Sequence, residues 1–124
     1  MATLTPTLTL SSSDLNGDTL NLSVTDSLAV LGQVAAFQKV ATTTGVVFAA
    51  AANFSKSYVY LKNLSTTSAE IITIEKANGS DEYMFLGAGE FAFFPWASLV
   101  DLALDAAQGS PVLEVRIFQE NAAS

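Results

Sequence analysis

The fold is decided by residues 99–119, which read LVDLALDAAQGSPVLEVRIFQ. Apolar and polar side chains alternate on both sides of the turn-forming Gly-Ser-Pro segment. A period of two is that of a half-buried β-strand, because successive side chains point to opposite faces. We therefore expect strands over Leu99–Asp105 and Val112–Gln119, closed into a hairpin by the loop Ala106–Pro111.

The same alternation recurs along most of the chain, and no stretch has a sustained helical period. Turn residues separate the short apolar segments, most clearly at Asn16-Gly17, Asn78-Gly79 and Gly87–Gly89. This pattern predicts an all-β fold: one antiparallel β-sandwich or jelly-roll-like domain that spans residues 1–124. Further strands are expected at 4–10, 20–25, 46–50, 58–62, 70–76, 82–86 and 90–94.

The two ends of the chain and one internal segment are less regular. Pro6 cannot donate to a sheet ladder, so residues 1–12 are expected to form an edge strand or an arm, with apolar side chains inward. Residues 120–124 have nothing to bury and are expected to fray. Between Ser27 and Thr44 we expect one helical turn, followed by an extended segment over Val34–Thr43.

Composition excludes several classes of function. The 124 residues include 12 acidic and 5 basic side chains, no histidine and no cysteine, and the formal net charge is −7. A disulfide framework, a Cys/His zinc site and any imidazole- or thiol-based catalytic triad are therefore excluded. The basic residues are scattered, so we expect no nucleic-acid binding and no attraction to an anionic membrane.

The sequence contains no recognisable targeting or catalytic motif. The N-terminus lacks the basic and apolar regions of a secretory signal, and the longest apolar run is much shorter than a membrane helix. Asp14–Asp18 resembles the start of a calcium loop, but Thr25 replaces the bidentate glutamate. We expect no catalytic residue, metal or cofactor. A hydrolase with paired carboxylates remains an alternative, drawing on Asp14, Asp18, Asp101 and Glu90.

Residues 91–96, FAFFPW, are apolar on both faces. Such a strand is either central, or covered by a loop on its second face, or in contact with another subunit. On the third interpretation, one aromatic face meets a neighbouring copy or partner, and the same rings could alternatively stack on sugars. The candidate interface residues are Tyr58, Tyr60, Tyr83, Phe94 and Trp96.

Three segments together carry a resemblance to a known class of proteins: YVYLKN at 58–63, IITI at 71–74 and LGAGEFAFFPW at 86–96, with LEVRIF at 113–118 fitting as well. This arrangement resembles small β-rich virion proteins of tailed bacteriophages, particularly marine ones, some of which decorate the outside of the head. The resemblance covers roughly the second half of the chain.

The resemblance implies a non-enzymatic capsid decoration protein (cement or knob) or a minor capsid protein. Its partners would be the major capsid protein or another virion protein, and it would form a homo-oligomer. It would be made in the host cytoplasm and located in the virion. The alternative is a carbohydrate-binding adhesion module associated with the tail or a fibre.

Overall fold

A computed structural model describes residues 2–15, 17–76 and 82–121. The turn expected at Asn16, the turn at Asn78-Gly79 and residues 122–124 of the expected frayed tail lie outside these residues. The start of that tail is ordered, contrary to the expectation, because Glu120 belongs to the last strand and the Asn121 amide donates to the Ala29 carbonyl at 2.9 Å. The strands are β1 (Ala2–Leu4), β2 (Thr7–Leu15), β3 (Asp18–Thr25), β4 (Leu28–Val40), β5 (Val46–Ala49), β6 (Ser57–Asn63), β7 (Ile72–Lys76), β8 (Glu82–Leu86), β9 (Phe91–Trp96), β10 (Leu102–Ala106) and β11 (Val112–Glu120).

Nine of the eleven strands in the described part of the chain form two antiparallel sheets, and the other two, β2 and β3, form a separate hairpin. One sheet has five strands in the order β1-β4-β11-β6-β9, and the second has four in the order β5-β10-β7-β8. Every pairing of neighbours is antiparallel. Among the described residues there is no α-helix, only the short 3-10 turn Ala51–Asn53. The predicted all-β, sandwich-like fold is confirmed.

The core lies between the two sheets. From the five-stranded sheet, alternate residues of β6 and β11 point inward, and from the four-stranded sheet β7 and β10 contribute most. These last two strands are interior strands of their sheet, and most of their residues are buried, including the polar Thr73 and Glu75 of β7. The largest completely buried apolar side chains are Val59, Leu61, Ile72, Ile74, Leu104, Leu113, Val115 and Ile117.

The hairpin expected from residues 99–119 is not present. Strand β10 pairs with β5 and β7, whereas β11 pairs with β4 and β6, so the loop between them carries the chain from one sheet to the other. The alternation is real, but it identifies the buried face of each strand and not its hydrogen-bonding neighbour. The first of the two strands also starts later than expected, at Leu102.

Two other local expectations are wrong. No helical turn precedes Val34, because β4 is extended from Leu28 and pairs with β11 along most of its length. Two register shifts interrupt this pairing and leave Leu31 and Val34 exposed, which gave the sequence its mixed periodicity. Strand β9 does not end before Pro95 but continues through Trp96; an edge strand tolerates proline because one side of it needs no donor.

Residues 2–25 combine both roles expected for the N-terminal segment. Strand β1 forms one edge of the five-stranded sheet, and β2 pairs only with β3. The side chains of this hairpin are largely exposed, so the expectation that Leu8, Leu10, Leu22 and Val24 point into the core is wrong. We call residues Thr7–Thr25 the arm.

Candidate functional site

The arm has one apolar face. Its cross-strand register places Leu8 opposite Val24 and Leu10 opposite Leu22. Because side chains opposite each other lie on the same side of a sheet, these four form a continuous patch, which Leu20 extends. The four are between 40% and 51% exposed. We call this patch the arm's apolar face.

The opposite face of the arm is polar. It carries Thr7, Thr9, Ser23 and Thr25, and the hydroxyls of Thr7 and Thr25 are hydrogen-bonded at 3.3 Å. At the base of the arm, the Asp26 amide donates to the Pro6 carbonyl at 3.2 Å. The arm is therefore an amphipathic two-stranded ribbon whose apolar side the rest of the described chain does not cover.

The outer side of the five-stranded sheet carries five aromatic rings, which we call the aromatic face: Tyr58 and Tyr60 on β6, Phe91 and Phe93 on β9, and Phe118 on β11. Tyr58 and Phe93 stack with ring centroids 6.2 Å apart and an interplanar angle of 16°. Phe91 is the most exposed of these rings, with 61% of its surface accessible to solvent. Aromatic pairs across strands stabilise a sheet, but they also leave large apolar rings at the surface.

Charged groups border the aromatic face at one end. The Lys56 ammonium lies 3.1 Å from Glu120 Oε1 and 5.2 Å from the centre of the Tyr58 ring. The Tyr58 hydroxyl donates to the same carboxylate at 3.3 Å. The hydrogen bond to Glu120 raises the pKa of Lys56 above its ordinary value. These contacts fix the orientation of the Tyr58 ring.

A groove of about 730 Å³ separates the base of the arm from the aromatic face. Leu8 and Val24 line one wall, and Tyr60, Phe93 and Phe118 line the other. Its polar groups are Thr7, Asp26, Glu114 and Arg116, and the Arg116 guanidinium contacts the Glu114 carboxylate at 3.4 Å and Gln33 at 3.3 Å. The groove can hold an apolar or aromatic-stacking group beside a paired charge.

The five residues predicted as an interface do not form one surface. Tyr58 and Tyr60 lie on the aromatic face and are half-buried, whereas Tyr83 lies on β8 in the other sheet and is 49% exposed. Phe94 and Trp96 point inward: Trp96 is 6% exposed in the core and Phe94 packs against it. Trp96 is thus corrected from a candidate contact residue to a core residue, whereas Phe94 is partly buried against the core, because the inward face of β9 is Ala92, Phe94 and Trp96.

Tyr83, Phe94 and Trp96 do meet at a smaller pocket of about 310 Å³ between the edges of β8 and β9. The Trp96 ring packs against Phe54 with centroids 5.8 Å apart. Its indole Nε1 is buried and has no hydrogen-bond partner within the described part of the chain. The pocket is mainly apolar.

Three carboxylates lie together on the outer side of the four-stranded sheet. Glu75 is 4% exposed and shares a shallow pocket with Glu82 and Asp105. Burial raises the pKa of Glu75 above its ordinary value, and the neighbouring charges of Asp105 and Glu82 raise it further. Across residues 2–15, 17–76 and 82–121, no group of three potential ligands is arranged to hold a metal ion.

The carboxylates considered for hydrolysis have structural contacts where their side chains are described. Asp101 accepts the Ala51 amide hydrogen bond at 2.7 Å, and Glu90 accepts that of Gly87 at 2.6 Å. Asp14 accepts from the Ser12 hydroxyl at 3.0 Å. These three lie in separate parts of the fold and do not converge on one cleft.

Sequence reasoning missed the exposed residues that define the candidate surface. Phe91 and Phe93 lie on the face of β9 opposite to that of the predicted candidates Phe94 and Trp96. The sequence predicts Phe118 only as a strand residue. The alternation of residues 7–25 predicts the two strands of the arm, but it does not show that their apolar face lies outside the core.

Among the described residues, no helix is both long and apolar enough to cross a membrane.

Comparisons with protein-family models, with curated proteins and with solved structures found no match for the chain.

Proposed function

We propose that the chain is a non-enzymatic virion structural protein that binds the assembled head of a tailed bacteriophage. Its role would be that of a capsid decoration protein, of the cement or knob type, or of a minor capsid protein. The observation that carries the proposal is that two apolar surfaces are exposed: the arm's apolar face, available to a second copy, and the aromatic face, available to the particle. Contiguous exposed apolar surface of this kind is typical of protein-protein contact sites.

The aromatic face supports the same role. Phe91 and Phe93 offer large, rigid rings that gain contact area at low cost in side-chain entropy. The major capsid protein, or another virion protein in the same lattice, is the partner that the resemblance favours.

Stabilisation of a capsid by such a protein follows from mass action. A protein that binds only the assembled shell stabilises it by RT ln(1 + [L]/Kd), about 2.7 kcal/mol for each site when the unbound protein is a hundredfold above Kd. The stabilisation free energies of many symmetry-related sites add together. No reactive group is required of the bound protein, so we infer that it has no catalytic activity.

The charge of the chain is compatible with a position on the outside of a particle. With a net charge of −7 and scattered basic residues, it has no basic surface with which to displace counterions from packaged nucleic acid. We infer that the protein is synthesised in the host cytoplasm, binds neither nucleic acid nor membrane, and ends in the virion on the capsid.

The proposal is tested by mass spectrometry of purified particles, together with co-sedimentation of the purified protein and capsids. We expect a stoichiometric copy number and saturable binding that is lost when Phe91 and Phe93 are both changed to Ala. The matched control is Phe85→Ala, which removes an equally exposed ring from the other sheet. Absence from particles would contradict the proposal.

A second candidate is a carbohydrate-binding adhesion module associated with a tail or fibre. The groove favours it, because it combines aromatic rings with Arg116, Glu114 and Asp26, and sugars are commonly held by stacking and charged hydrogen-bond partners. A glycan array tests it with the wild type and Phe93→Ala. Hits that disappear in the variant support adhesion, whereas the absence of hits contradicts it.

A further inference from the structure

The arm lacks stabilising contacts of its own. An isolated two-stranded hairpin is marginally stable in water unless its apolar face packs against another layer. Here Leu10 and Leu22, the middle pair of the apolar face, are 43% and 40% exposed and do not line the groove. The outer half of the arm therefore extends beyond the groove and needs a second layer.

The exposed area of the chain is large for its mass. It amounts to 7243 Å², whereas a compact monomer of 13.0 kDa exposes about 6,300 Å². The excess of roughly 900 Å² is close to the ~800 Å² that each partner contributes to a stable interface of standard size. The chain thus exposes more surface than a compact monomer of its mass, and the arm, whose two faces both lie at the surface, contributes to this excess.

The low charge of the arm is compatible with a second copy of the chain as the partner. Between Thr7 and Thr25 the only charged residues are Asp14 and Asp18, next to the hairpin turn, although the whole chain has a net charge of −7. Two copies can therefore meet along this neutral stretch without placing like charges in the contact. A basic partner would find no complementary charge there.

The shape of the apolar face is compatible with self-association. Its cross-strand pairs, Leu8 with Val24 and Leu10 with Leu22, form two rows of similar width. Such a patch can pack on a copy of itself when the two are related by a twofold axis, as in an isologous dimer. Two ribbons facing each other at about 10 Å then make a small sandwich with a dry centre.

We propose that the arms of two copies pack face to face through this apolar face, with Leu10 and Leu22 at the centre of a twofold contact. The inference rests on the proposed function for its homo-oligomeric character, and it names the surface through which the copies meet. The body of each protomer keeps its aromatic face exposed for the particle.

Cross-linking tests the contact directly, because the chain contains no cysteine. Leu10→Cys places one thiol on the apolar face, and Thr9→Cys places one on the polar face of the same strand. With a short bismaleimide, we expect a cross-linked dimer for Leu10→Cys and none above background for Thr9→Cys. Equal cross-linking of the two variants, or none for either, would overturn the proposal.

Sedimentation equilibrium measures the strength of the same contact. We expect the double variant Leu10→Asp, Leu22→Asp to raise the dimer Kd by roughly a hundredfold or more, since central apolar contacts dominate an interface. Thr9→Asp, Ser23→Asp adds the same charge to the polar face and is expected to leave the Kd within a factor of about three. A wild type that is monomeric throughout would overturn the proposal.

Co-sedimentation with capsids distinguishes the proposed contact between two copies from the proposed binding to the capsid. If the wild type is monomeric and the Leu10→Asp, Leu22→Asp variant loses capsid binding, the arm docks on the capsid: the second-copy proposal fails and the proposed function stands. If the protein dimerises through the arm but does not bind particles, the proposed function fails and the contact between copies stands.

Discussion

Asn63 and Leu86 join the two sheets through a buried hydrogen bond. The Asn63 side chain, at the end of β6, is completely buried, and its Nδ2 donates to the Leu86 carbonyl at the end of β8 at 2.9 Å. The same nitrogen donates to the Glu70 carbonyl at 2.9 Å, and Oδ1 accepts from the Ser65 amide at 2.9 Å. One side-chain amide thus satisfies three backbone groups, two in the connection between β6 and β7 and one at the end of β8.

We expect Asn63→Ala to lower the free energy of unfolding by about 3 kcal/mol, because it leaves buried backbone groups without partners. The matched control is Asn53→Ala, at an exposed asparagine, which is expected to change it by less than about 0.5 kcal/mol. Urea unfolding monitored by tryptophan fluorescence gives both values. Similar losses of unfolding free energy for the two variants would show that the hydrogen bonds of the Asn63 side chain do not stabilise the fold.

Gly109 is expected to be more sensitive to substitution than Gly89. Both have a positive φ, +71° and +78°, so a change to Ala costs about 1 kcal/mol at either position. Only at Gly109 would the new Cβ collide with the Glu70 carboxylate, which also accepts from the Ser65 hydroxyl at 2.6 Å. Gly109→Ala should therefore be less stable than Gly89→Ala by about 1–3 kcal/mol in urea unfolding. Equal stabilities would contradict this packing.

Trp96 and Phe91, on opposite faces of β9, are expected to respond differently to truncation. Trp96→Ala removes a core side chain and should cost about 3–5 kcal/mol of folding stability. Phe91→Ala removes an exposed ring and should change stability by less than about 0.5 kcal/mol. Thermal or urea unfolding distinguishes them. A large loss for Phe91→Ala would mean that its ring belongs to the core.

Glu75 makes the stability of the fold depend on pH. Because its pKa is raised in the folded chain, the folded state holds this proton more tightly than the unfolded state. The contribution of Glu75 to stability is therefore largest below the ordinary value of 4.5 and is lost as the pH rises through its folded pKa. We expect Glu75→Gln to be more stable than the wild type at pH 7 and equal to it at pH 4.

The control for this titration is Glu114→Gln, which removes a partly exposed carboxylate paired with Arg116. We expect it to change stability by less than about 1 kcal/mol at either pH. Urea unfolding at several pH values measures the difference between each variant and the wild type. A destabilising Glu75→Gln at pH 7 would mean that the ionised carboxylate makes a favourable contact.

The period of two in the sequence was sufficient to predict strands and the sandwich-like class. It also grouped the apolar residues of the arm correctly, because side chains two apart share a face whatever that face meets. It could not show that Leu10 and Leu22 lie outside the core, since that depends on which strand pairs with β2. For the same reason it joined β10 and β11 in one hairpin, although they lie in different sheets.

The candidate surface was predictable only in part. In FAFFPW both faces are apolar, so the sequence offers no contrast that says which one meets the core. The choice is made by register, which places Trp96 opposite Ser57 and Phe94 opposite Val59 on the buried side of β6. The buried cluster around Glu75 was not foreseen, because alternation assigns a carboxylate in a strand to solvent.

The central claim is that the arm's apolar face becomes covered by the arm of a second copy of the chain. Amide hydrogen exchange of residues 7–25, measured over a range of protein concentrations, tests it most directly. The account predicts that protection of β2 and β3 increases with concentration while that of β6 and β11 stays constant. Exchange in the arm that is independent of concentration would contradict it.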